Sequence, residues 1–118
     1  MKTKFRGVFL TAEDPAVTAK FYREVAGLSL EESGEGEARY WKIDETGMQL
    51  AIHRASLFSE YAFPPEPKSN LTHLYFKIAE QKAFYAHLKK LGVGVYCADE
   101  VVITVLDPDG RKVMFGTA

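Results

Sequence analysis

Residues 5–28 read FRGVFLTAEDPAVTAKFYREVAGL, a short alternating stretch running into a longer amphipathic one. Residues 5–12 alternate as a strand does, with Val8, Leu10 and Ala12 on one face and Gly7, Phe9 and Thr11 on the other. Asp14 then suits a helix N-cap, Pro15 the first helical position and Gly27 the stop. Val17, Phe21 and Val25 recur every fourth residue and are expected to face a sheet. Residues 70–92, NLTHLYFKIAEQKAFYAHLKKLG, repeat that order. Leu74, Phe76 and Ile78 oppose His73, Tyr75 and Lys77, and a helix follows with Phe84, Leu88 and Leu91 as its stripe and Gly92 at its end. Gly7 and His73 lie 66 positions apart, and so do Asp14 and Glu80.

Three short strands are expected after each helix, near 28–33, 38–44 and 47–53, and again near 94–97, 100–106 and 111–116. The closing hairpins also correspond, DETGMQL against DPDGRKVMF, the second read as two residues longer. The fold class is therefore α+β, a βαβββ unit used twice: 1–53, then a linker at 54–70, then 71–118. The linker, RASLFSEYAFPPEPKSN, carries Phe58, Tyr61 and Phe63 and a proline cluster that excludes a helix from its second half. Its aromatics suggest a lid, a contact with a second subunit, or simple docking on its own domain.

A chain of 118 residues suits one domain and is long enough to bury a core without disulfides. Its 15 basic and 16 acidic residues leave a formal charge of −1, which argues against a nucleic-acid groove. No apolar run reaches the length of a membrane span. The N-terminus moves straight into strand-like alternation without a signal-peptide core, so a cytoplasmic location is expected. The single cysteine, Cys97, reads as a half-buried strand residue. Other chemistries find little support. SGEGEA is acidic and opens no helix, so it is no phosphate loop, and Asp107 and Asp109 read as exposed turn formers.

The two units, with AEDPAVTAKFYREVAGL after the first strand and DPDGRKVMF at the end, resemble the vicinal oxygen chelate superfamily. This group includes glyoxalase I, the bleomycin and fosfomycin resistance proteins and the extradiol dioxygenases. The resemblance covers the whole chain. It implies curved mixed sheets around a cup, helices on the outer faces, and homodimers. It also implies a divalent metal held from four equivalent strand positions, which fall here on Gly7, Gln49, His73 and Met114. One is an imidazole, one an amide, one a thioether and one has no side chain. Zinc or iron needs about three good donors, and magnesium or manganese needs hard oxygens. His53 shares the face of Gln49 but lies four residues, about 13 Å, further along the strand. No metal and no cofactor are therefore expected.

The expected lining of the cup includes Phe9, Thr11, Tyr40, Gln49, His73, Tyr75 and Met114, apolar and aromatic with a few polar groups, as small-molecule sites are. Tyr40 is taken for this face and Trp41, alternating with Ile43, for the helix side; Gly116 is expected to keep the wall open. The leading reading is a metal-independent protein binding a small, partly aromatic molecule, in one version sequestering a toxic compound. The alternatives are an enzyme (lyase, isomerase or oxidoreductase) with an atypical metal site or His73 as base, and a dimeric scaffold.

Overall fold

The computed structural model describes Lys2 and residues 4–57 and 72–118. The aromatic segment expected as a lid or contact, with Phe58, Tyr61 and Phe63, lies outside them. The chain divides into two units, each a helix and a four-stranded mixed sheet. The first unit runs β1 (Gly7–Ala12), α1 (Pro15–Glu24), β2 (Glu31–Ser33), β3 (Tyr40–Glu45) and β4 (Met48–Arg54). The second runs β5 (Leu74–Lys77), α2 (Gln81–Leu91), β6 (Cys97–Ala98), β7 (Val102–Leu106) and β8 (Lys112–Gly116). The sheet orders are β1-β4-β3-β2 and β5-β8-β7-β6, so the expected βαβββ duplication is present. In each sheet the first strand pairs parallel with the last, and the other pairs are antiparallel.

Local chemistry explains the helix ends. The Asp14 carboxylate accepts the Ala16 N–H at 3.1 Å, satisfying one of the first-turn donors. Its counterpart Glu80 makes no side-chain cap. Gly92, at φ 70°, closes α2 by donating its N–H to the carbonyls of Leu88 and Lys89.

The buried face of α1 differs from the expected one. Of the expected stripe Val25, just past the helix, is buried, but Val17 is 51% exposed and Phe21 half-buried, and Pro15, Thr18, Ala19 and Tyr22 are buried in their place. Both sets have helical spacing. The small Thr18 and Ala19 admit the helix close to the sheet, and the Tyr22 ring fills the space beside them, a fit that hydrophobicity alone does not reveal. In the second unit Phe84 and Leu88 are buried as expected. Phe84 stacks on Phe115 with ring centroids 4.5 Å apart, and Phe115 on Phe76 at 5.5 Å.

The helix-facing rows are therefore Leu10, Ala12, Trp41 and Ile52 in one sheet, and Ile103, Val105, Val113 and Phe115 in the other, all buried. Trp41 lies on the helix side, as its alternation with Ile43 implies. Cys97 is exposed on the two-residue edge strand β6, not half-buried. Asp107 is also unlike the expected exposed turn former: it is 5% exposed. Its carboxylate accepts the N–H groups of Asp109 and Arg111, both at 2.9 Å, and pairs with the Arg111 guanidinium at 3.0 Å.

Candidate functional site: the open faces of the two sheets

Strand alternation sends Gly7, Phe9 and Thr11, with Tyr40, Gln49, Ala51 and His53, to the face of the first sheet away from α1. Three rings stand side by side there. His53 stacks on Phe9 with centroids 4.1 Å apart and planes within 3°, and on Tyr40 at 4.3 Å and 12°. The column crosses β1, β4 and β3 because Thr11 pairs with His53, and Trp41 with Ile52, in the strand ladders. Burial of the imidazole holds the His53 pKa below its ordinary value. Neutral imidazole also stacks on aromatic rings without shedding a charge's hydration shell. The sequence suggests His53 only as a metal ligand; its place on the Gln49 face is the signal that points to this stacking role.

Gln49 belongs to a polar cluster at the other end of the same strands. Its side-chain amide donates to Asp44 at 3.4 Å, while Asp44 pairs with Arg6 at 3.0 Å and with Lys42 at 3.6 Å. The Arg6 hydrogen bond is the main reason the Asp44 carboxyl is held below its usual pKa range.

In the second sheet the open face carries Tyr75 and Lys77 from β5, Lys112, Met114 and Gly116 from β8, and Thr104 from β7. His73 is exposed and sits one residue ahead of β5, outside the ladder. Gly116 does not leave an open wall. The Tyr75 phenol lies across it, its Cζ 2.8 Å from where a Cβ would stand, and its hydroxyl donates to the Ala118 carbonyl oxygen at 2.9 Å.

Strand register corrects one equivalence between the units. Phe9 pairs with Ala51 and Tyr75 with Met114, and Phe9 and Tyr75 share the 66-position offset. The counterpart of Met114 is therefore Ala51, two residues beyond Gln49. The hairpins explain the slip. β3 and β4 turn at Thr46-Gly47, both at positive φ, directly after the Glu45–Met48 pair. β7 and β8 insert one further residue, not two, around Asp109-Gly110.

A family model, Glyoxalase-like domain, matches residues 7–115. The chain belongs to that family, within the vicinal oxygen chelate superfamily. Solved structures share the fold. Lactoylglutathione lyase from Agrobacterium tumefaciens superposes with a TM-score of 0.70 at 18% identity, covering 100% of this chain and 96% of that one. TnmS3, an antibiotic binding protein from Streptomyces sp. CB03234, gives 0.70 at 17% identity, over 98% of this chain and 96% of its own. A glyoxalase/bleomycin resistance protein/dioxygenase from Nocardioides gives 0.70 at 18%, over 99% and 85%. No curated protein sequence matches the chain.

The superfamily implies a divalent metal, and the residues at its four positions do not fit one. By register they are Gly7, Ala51, His73 and Met114, which offer one imidazole and one soft thioether. At Gly7 the obstacle is also steric. Its φ is 154°, and an added Cβ would run into the backbone carbonyl oxygen of Gln49. No side chain of any kind fits there without moving β4. Among the described residues, no three His, Cys, Asp or Glu side chains gather to hold a metal ion. Among the same residues no helix is long and apolar enough to cross a membrane.

Proposed function

We propose that this glyoxalase-like protein binds a small, partly aromatic organic molecule by stacking, without a metal. The observation that carries this reading is the Phe9–His53–Tyr40 column, where three parallel rings occupy a sheet face and Phe9 remains 51% exposed. Such a face matches planar, apolar ligands, since stacked aromatic pairs contribute beyond the area they bury. The equivalent position of the second sheet, Tyr75, is 43% exposed beside Met114, which adapts to irregular apolar shapes. The fold is the one that TnmS3, an antibiotic binding protein, also has, and a sequestering role is one version of this reading.

A chemical step routed through a chelated metal finds no support in the donor set. Binding is tested with N-phenyl-1-naphthylamine, a neutral aromatic probe whose fluorescence rises in apolar sites. Phe9→Ala and Tyr40→Ala are expected to weaken it roughly two- to tenfold each, the scale of one lost aromatic pair. Saturable binding untouched by either substitution, or no binding at all, would contradict the reading.

A further inference from the structure

The two open faces differ in how their cations are held. In the first sheet Arg6 and Lys42 are both held in ion pairs by one carboxylate, Asp44. In the second, neither Lys77 nor Lys112 makes an ion pair among the described residues. The acidic groups of the β7–β8 turn, Asp107 and Asp109, are both taken by Arg111. Asp99 accepts the N–H groups of Val101 and Val102. Lys112 is half-buried, and its ammonium lies 5.3 Å from the Tyr96 ring centroid. An aromatic ring positions an ammonium without neutralising it, so the charge stays available to an anion. Lys112 shares its strand face with Met114, which pairs with Tyr75, and His73 and Lys112 each precede by one residue the Leu74–Val113 pair that opens the parallel β5–β8 ladder. A positioned cation thus adjoins an aromatic and thioether surface. The net charge of −1 means that the whole-chain field draws no anion there; any preference must be local.

We propose that the open face of the second sheet takes an organic anion, its charged group held by Lys112 beside His73 and its apolar body lying along Tyr75 and Met114. The inference rests on the small-molecule reading above and narrows it to ligands carrying a carboxylate, sulfonate or comparable group.

Two probes with one aromatic body separate the two claims. 1-Anilinonaphthalene-8-sulfonate carries an anionic group, and N-phenyl-1-naphthylamine lacks it. Binding of both to the full chain is measured by fluorescence titration at low and moderate salt. The sulfonate is expected to bind roughly tenfold more tightly at low salt, the scale of one charge-assisted contact, with the advantage shrinking as salt rises. Lys112→Gln should abolish that advantage, and its persistence in this variant would overturn the anion site. Lys112→Arg should keep most of it, and Lys89→Gln, on the exposed face of α2, should keep all of it. Equal affinity for both probes, or an equal loss from Lys89→Gln, overturns the anion site while the binding reading stands. Failure of both probes to bind overturns both.

Discussion

Glycine at position 7 does more than omit a ligand. Its backbone conformation and the nearby Gln49 carbonyl exclude a Cβ, so Gly7→Ala should cost at least ~2 kcal/mol in a urea melt. Gly116→Ala makes a useful contrast. The atoms it meets are the far end of the Tyr75 side chain, which can swing away at a cost below ~1 kcal/mol. That variant should fold normally yet lose the Tyr75–Ala118 hydrogen bond and bind aromatic probes differently. His53 predicts a pH dependence. Because burial lowers its pKa, the unfolded chain takes up the proton first on acidification. Its contribution to stability is thus complete above the ordinary histidine pKa, about 6.5, and is lost as pH falls from there toward the lower folded value. His53→Phe should flatten stability measured between pH 7 and 5, and an unchanged slope would contradict the assignment.

At the scale of elements, the β7–β8 hairpin depends on one buried carboxylate. Removing it in Asp107→Ala orphans two backbone N–H groups and takes away the nearer of the two carboxylates that Arg111 pairs with, with an expected loss of about 2–4 kcal/mol by thermal or urea unfolding. The same hairpin shows where sequence legibility ran out. Asp-Pro-Asp-Gly announces a turn, but not how many residues it inserts, and one misplaced residue pair carried the fourth site position from Ala51 to Gln49. Helix α1 was legible in extent and caps, since Asp14, Pro15 and Gly27 have local roles. Its buried face was not, because two stripes satisfy the same period and only fit against the sheet selects between them.

At the scale of the whole molecule, the duplication was the legible signal. A 66-position offset shared by the first strand and the start of the helix, Gly7 to His73 and Asp14 to Glu80, marks one unit used twice, and the match over residues 7–115 establishes the family. The open-face aromatics Phe9, Tyr40 and Tyr75 were readable from alternation. The column they build with His53 was not, since it depends on which rings three strands bring side by side. That Lys112 makes no ion pair among the described residues was equally hidden, because it depends on Asp107 and Asp109 both turning to Arg111. Ligand binding by this protein is expected to need no metal. Its most direct test is titration with N-phenyl-1-naphthylamine after EDTA treatment, and again with Zn, Mn, Ni, Fe or Mg restored, alongside melting temperatures. Equal affinity throughout, with no metal raising the melting temperature, is the predicted result; one metal bound per chain and required for binding would contradict it.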